Sequence, residues 1–326
     1  MSNATKKFLT YNQQMKYLRD NKLIACSGKN DKSILARKGY FNLINGYKEP
    51  FTCGKDTSGN FMYFNGTSIA HFSALKEFDD ALRILLLKQL TKVEEEVRTL
   101  AAYKFDEINL KSGKLWYEVS AYKQLHNINS TLAFISKAHT EVTRSKQVYV
   151  KHFMDNHNLM PTWILTKFLT LSSFLNFVEC GKDDFKSALC ELYSIVNLRG
   201  YLDFNLLLSS LHWMRLVRNM CAHHERVFDC VRKNSRIVEG YINALPQSYC
   251  REKDQRIFDL LVYFKYYLPH EEYEGFINEV KRLLAQLNGK LHMNAYNKVR
   301  ASLGIKDVSH LDMLLQNPKN IEYHNF

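Results

Sequence analysis

Apolar residues recur at intervals of three and four across residues 78–105: Phe78, Leu82, Leu85, Leu86, Leu90, Val93, Val97, Leu100 and Ala101. At 3.6 residues per turn this spacing gathers them into one stripe, which predicts a long amphipathic helix. Similar stripes run through residues 125–138, 163–178, 185–196, 204–221, 257–266 and 273–287. Period-two alternation is scarce. Its best instance is Asn60-Phe61-Met62-Tyr63-Phe64-Asn65-Gly66, an aromatic run closed by Asn-Gly that suits a short hairpin. Residues 48–57, with Pro50, Gly54 and nearby Gly59, read as an exposed loop.

The pattern predicts an all-α protein organised around one main helical bundle. Residues 1–75 form a basic, partly irregular amino-terminal lobe, residues 76–240 the helical core, and residues 241–326 additional packing helices. No internal repeat, low-complexity tract or long flexible linker interrupts this order.

Composition narrows the class. A chain of 326 residues supports a substantial core, and a hydrophobic fraction of 46% is ordinary for a globular protein. The longest apolar run, Leu260-Leu261-Val262-Tyr263-Phe264, is five residues. A membrane span needs about twenty, so no membrane partner is expected. The start, Met1-Ser2-Asn3-Ala4-Thr5-Lys6-Lys7, has no apolar signal core. Seven scattered cysteines without a CxxC pair fit reduced thiols in a cytoplasm. Net charge is +12, and residues 1–60 carry eleven Lys/Arg against four Asp/Glu. Such a balance favours a polyanionic partner, or else a merely solvated basic surface.

The densest chemistry lies in Arg218-Asn219-Met220-Cys221-Ala222-His223-His224-Glu225-Arg226. An arginine and a histidine separated by four residues suit RNA cleavage without a metal. The guanidinium holds the phosphate with a fixed charge, and the imidazole moves a proton near neutral pH. On a helix Asn219 and His223 share a face, Arg218 reaches round with a long side chain, and His224 points elsewhere.

This segment resembles the R-x4-H motif of HEPN ribonucleases, in the form carried by the Abi-like (AbiD/AbiF) family of phage abortive-infection proteins. Other segments share the resemblance: Leu9-Thr10-Tyr11-Asn12-Gln13-Gln14 and Tyr17-Leu18-Arg19-Asp20-Asn21-Lys22-Leu23, then Gly39-Tyr40-Phe41-Asn42-Leu43-Ile44-Asn45-Gly46-Tyr47 with Pro50-Phe51. Phe78-Asp79 with Leu82-Arg83, Glu94-Glu95-Glu96 before Arg98, and Pro161-Thr162-Trp163 extend it from about residue 8 to about residue 230. Departures fall at Lys167, Thr170-Leu171-Ser172 and Phe228-Asp229, and spare Arg218 and His223.

The resemblance implies a HEPN-like bundle and an endoribonuclease acting as a toxin-type antiphage effector. It implies restraint by a small noncoding RNA and requires no cofactor or metal. Arg218 would hold the scissile phosphate, and His223 would transfer protons. Asn219 would orient His223 or the ribose, and His224 would assist the second proton transfer or bond structurally. Arg226 would be a secondary phosphate contact or a charge partner within its own helix. No second R-x4-H occurs. A composite site in a homodimer is therefore implied.

Other readings compete. Cys221, His223, His224 and Cys230 are zinc-ligand types, yet their spacing matches no familiar site. Cys221 as a nucleophile is set against a small core residue. Glu94-Glu95-Glu96 could suggest metal carboxylates but, without a second acidic cluster, reads as a solvated helix face. The segment with Lys38, Tyr40, Tyr47 and Lys48 suits base stacking with phosphate contacts, or a core-packing aromatic turn. Two further functions remain open: a non-catalytic RNA-binding module, and a helical protein-interaction scaffold.

Overall fold

A computed structural model describes residues 8–122, 128–157, 160–197, 199–235 and 252–316. Among the described residues the fold is all-α with one small antiparallel hairpin.

Helix α1 (Tyr11–Lys22) opens on a capping box: the Gln13 amide donates to the Thr10 hydroxyl, and Gln13 Oε1 accepts from the Thr10 amide at 2.9 Å. Helix α2 (Gly28–Lys38) packs beside it. A π-helical turn (Phe41–Asn45) and a 3-10 turn (Glu49–Phe51) lead into β1 (Thr52–Lys55) and β2 (Phe61–Tyr63).

The hairpin differs from the sequence reading. Its second strand is the aromatic run, but its first strand lies inside residues 48–57, where a loop was expected, and Pro50, Phe51 and Thr52 are buried. The reversal comes at Asp56, not at Asn65-Gly66. The Asp56 carboxylate accepts from the amides of Ser58 (2.9 Å) and Asn60 (2.8 Å), which folds the chain back on itself.

Helix α3 (Ile69–Asn109), 41 residues long, is the central element. Its buried stripe contains Phe72, Leu75, Phe78, Leu82, Leu86, Leu90, Val93, Val97, Ala101 and Phe105. Each fully buried Leu or Phe contributes about 1.5–3 kcal/mol, so this face rather than helix propensity holds the rod in place. Leu85 and Leu100 are only partly buried, at the stripe's edge. Because α3 starts at Ile69, the expected boundary between lobe and core at residue 75 falls within one continuous helix.

Helices α4 (Ile128–Arg144), α5 (Val148–His157), α6 (Thr162–Phe168), α7 (Leu171–Cys180), α8 (Asp183–Leu192) and α9 (Phe204–Ala222) follow. Helices α6, α8 and α9 pack directly on α3, and α4 on α7. Phe105 joins these layers, with ring centroids 4.8 Å from Phe177, 5.3 Å from Tyr122 and 5.7 Å from Phe185. Leu125, the start of one expected stripe, lies outside the described residues.

The stripe over 163–178 reads as one helix in sequence but forms two. At the break the Thr170 hydroxyl accepts from the Ser173 amide (3.2 Å), while Glu141 of α4 accepts from the Thr170 amide (3.2 Å) and the Ser173 hydroxyl (2.6 Å). Arg98 of α3 donates to the carbonyls of Thr166 and Leu169. Side chains from two other helices thus satisfy backbone groups that a continuous helix would pair internally. The next expected stripe stops at Leu192, before Val196. Between α7 and α8, a Cβ on Gly181 would run into the Phe185 ring, so a larger residue there would force that buried ring to shift.

Helices α10 (Ile257–Tyr267), α11 (His270–Asn288), α12 (Met293–Leu303) and α13 (Ser309–Gln316) follow among the described residues. Helix α11 packs on α3, and α12 returns to the amino-terminal lobe, where the Lys298 ammonium donates to the Thr52 carbonyl. Among the described residues no helix is long and apolar enough to cross a membrane.

Candidate functional site

Helix α9 carries the motif at its carboxyl end. Asp203 caps its start by accepting from the Leu206 amide at 3.0 Å. Leu206, Leu207, Leu211, Trp213, Met214, Val217 and Cys221 face the core. Arg218 and Asn219 are half-buried, whereas His223 and His224 are exposed.

The helix ends inside the motif. His223 is the cap residue, and His224 has φ of 56°. The His224 amide donates to the Cys221 carbonyl (3.3 Å) and the Glu225 amide to that of Met220 (2.9 Å). These two bonds define a Schellman cap, with His224 in the left-handed position that glycine usually fills. The left-handed residue turns the chain, so His224 leaves the helical projection assumed from the sequence. Among the described residues neither imidazole carries a hydrogen-bond partner.

Two residues of α3 hold the chain just beyond the cap. Arg83 Nη1 donates to the Glu225 carbonyl at 3.0 Å. The buried Asp79 carboxylate accepts from the amides of Val227 (3.1 Å) and Phe228 (2.8 Å), and from the Tyr47 hydroxyl (2.8 Å). Burial pushes the Asp79 carboxyl up, against the opposing effect of these donors and of Arg83. Sequence reading did not assign these two a role. The available signal was their position: Asp79 and Arg83 are four apart and lie within the phase of the buried stripe, where an unpaired charge would be costly.

Arg218 lies in a second network. Its Nε donates to Glu94 Oε2 at 3.1 Å, and its Nη1 approaches Asn219 Oδ1 at 3.4 Å. Glu94 Oε1 accepts from Arg98 Nε (3.1 Å) and Nη2 (2.9 Å). Arg98 is buried and spans from Glu94 to the α6 carbonyls. This corrects the reading of Glu94-Glu95-Glu96 as a solvated face. Glu95 is exposed, but Glu94 is 15% exposed and neutralises two arginines. Glu96 is partly buried, and burial raises its carboxyl.

The remaining candidates divide. Arg226 pairs with Asp229 through Nε (2.8 Å) and Nη2 (2.7 Å), and its Nη1 donates to the Gly46 carbonyl. Tyr47 is 5% exposed and stacks on Phe228 at 5.9 Å, so it belongs to the core and offers no free face to a base. Lys38 is held by Ser73 (2.6 Å) and Glu77 (2.7 Å). Tyr40 packs partly buried against the core, and Lys48 lies over the Phe61 ring at 4.3 Å. The core-packing reading of this aromatic segment therefore prevails at Tyr47.

A cleft of about 750 Å³ opens beside the cap, with His224, Arg226, Asp229, Arg83 and Phe41 on its walls. Arg218 is not among its lining residues. It borders a small apolar hollow with Glu94, Phe174 and Leu175. The motif thus presents Arg218 with Asn219 in one direction and His224 with Arg226 in another, with exposed His223 at the helix end. Cys221 is buried, and burial pushes its thiol up to about 12, which disfavours the thiolate a nucleophile needs. Among the described residues no three His, Cys, Asp or Glu side chains converge as metal ligands.

A family model described as Abi-like protein matches residues 33–229, more than half of the chain, and this span contains the α3 clamp and the whole motif. No curated protein and no solved structure matches.

Proposed function

Because the chain belongs to the Abi-like protein family, we propose that it is an abortive-infection effector that cleaves RNA in the cytoplasm with Arg218 and His223. The observation carrying this reading is the contrast within the motif. Arg218 is anchored at Nε by Glu94 and at Nη1 by Asn219, which leaves Nη2 without a protein partner among the described residues, while His223 stands exposed at the helix end. A guanidinium fixed at two nitrogens keeps its charge in place and its third nitrogen free to donate to a phosphate oxygen.

In the proposed reaction an imidazole takes the proton from the ribose 2′-hydroxyl. The oxygen attacks the adjacent phosphorus as Arg218 offsets the added negative charge. The bond to the 5′ oxygen breaks, and that oxygen receives a proton from an acid. The products are a 2′,3′-cyclic phosphate and a 5′-hydroxyl. One chain contributes a single R-x4-H, so a homodimer would supply the second histidine, unless His224 does so. A small noncoding RNA on the basic surface would restrain the enzyme.

A second reading has its own support. Glu94 already neutralises Arg218, as expected of an arginine that merely holds RNA or the fold together. Incubation of the purified chain with cellular RNA separates the two. Cyclic-phosphate ends made by the parent chain, and lost in Arg218→Ala and His223→Ala, are expected. Binding without cleavage, or equal products from all three proteins, refutes the nuclease.

A further inference from the structure

We propose that the face formed by α5 and the start of α6 is a single-stranded RNA-binding surface, with Trp163 as its stacking platform. The ligand class rests on the RNA reading above, but the site is separate from the motif.

Of the three tryptophans, Trp116 is 3% and Trp213 1% exposed, while Trp163 is 55% exposed. Its exposure is not that of a loose side chain. The Phe153 ring meets it edge-on at 5.4 Å and holds it upright. Phe153 in turn lies 5.4 Å from His157, and His152 lies 5.7 Å from His157. Asn156 Nδ2 sits 2.9 Å from His152 Nδ1 and fixes that ring. Both imidazoles are exposed. Four rings from two helices therefore make a braced, solvent-facing aromatic surface.

Charge identifies the occupant. From residue 144 to residue 167 the cations are Arg144, Lys146, Lys151 and Lys167, and the only carboxylate in that span is Asp155; the Asp106 carboxyl of α3 reaches the start of α6, where it bonds the Thr162 side chain. Lys167 follows Trp163 by four residues on α6, so the two share a face. Aromatic rings flanked by lysines recognise single strands, because every base has a face to stack and every linkage a phosphate to neutralise. A protein partner would instead favour an apolar centre with few cations.

The surface also connects to the motif. Trp163 lies about one helical turn from Thr166. The Thr166 and Leu169 carbonyls take Arg98, which shares Glu94 with Arg218. The helix that carries Trp163 is thus tied through its buried side to the network that holds Arg218.

The test uses the full chain carrying His223→Ala and a 2′-O-methyl oligouridylate, which lacks a free 2′-hydroxyl. Binding should quench tryptophan emission, and affinity should fall as salt rises. Trp163→Ala should bind about tenfold more weakly. Trp163→Tyr should bind within a few-fold of the parent without the quench, since Trp116 and Trp213 are buried. Circular dichroism checks that both variants fold. Absence of binding, binding without quench, or equal affinity in Trp163→Ala overturns the proposal. So does emission that follows protein concentration and ignores the oligonucleotide, because a second copy then covers Trp163. Quench in a protein whose parent never cleaves RNA supports this surface and defeats the nuclease. Cleavage without quench does the reverse.

Discussion

Glu94 accepts a hydrogen bond from Arg218 at 3.1 Å with one carboxylate oxygen and holds Arg98 with the other. A single anion thereby sets the position of the motif arginine and neutralises a buried one. Arg98 is 8% exposed, so its charge depends on that carboxylate and on the α6 carbonyls. Removing one partner of a buried pair leaves the other desolvated and unpaired.

Glu94→Gln should therefore destabilise the fold by about 2–3 kcal/mol, read as a lower midpoint in urea denaturation. If Arg218 acts on RNA, cleavage should fall further than the lost stability explains, and Glu94→Asp should restore part of it. An unchanged midpoint would show that Arg98 finds its neutralisation elsewhere.

His224 has a left-handed backbone at the glycine position of the cap. That conformation costs a side-chain-bearing residue about 1 kcal/mol. His224→Gly should raise stability by about that amount, measured by the same denaturation. The variant separates the two roles open to this residue. Loss of cleavage in a more stable protein assigns the imidazole a chemical part, and full activity leaves it as a cap alone.

His71 gives the fold an acid sensitivity. Its Nδ1 accepts from the Ser68 amide at 3.2 Å, closing the capping box of α3, and its ring lies 4.5 Å from His292. Burial first, and His292 second, hold His71 below its ordinary 6.5. Burial, Arg232 and Arg215 lower His212 in the same way, against Glu179. For a histidine depressed in the folded state, the unfolded chain binds more protons just below 6.5, so stability falls as pH drops through that point. Denaturation midpoints at pH 7.5 and 5.5 should differ in this direction, and His71→Gln should narrow the gap while keeping an acceptor at the cap. Equal narrowing by unrelated surface histidines would remove His71 as the cause.

Much of this was legible beforehand. The stripe over 78–105 foretold α3, and those over 204–221, 257–266 and 273–287 fall on helices that match within a few residues. The hairpin was half legible. β2 announces itself by aromatic residues, whereas β1, Thr-Cys-Gly-Lys, has no pattern and exists because β2 pairs with it. The break at Thr170 was hidden because its causes, Arg98 and Glu141, come from other helices.

The motif shows the same division. Sequence alone determined which groups are present, their helical register up to Ala222, and the family to which they point. Spacing is a local property, and helices obey local rules. Tertiary structure decided what each group faces. It brought Glu94 to Arg218 from 124 residues away, and Asp79 to Phe228 from 149. It buried Tyr47 and sent His224 toward a cleft that Arg218 does not line. Those outcomes follow from the packing of α3 against α9, and charges buried by that packing must be matched by whichever distant residue it brings near.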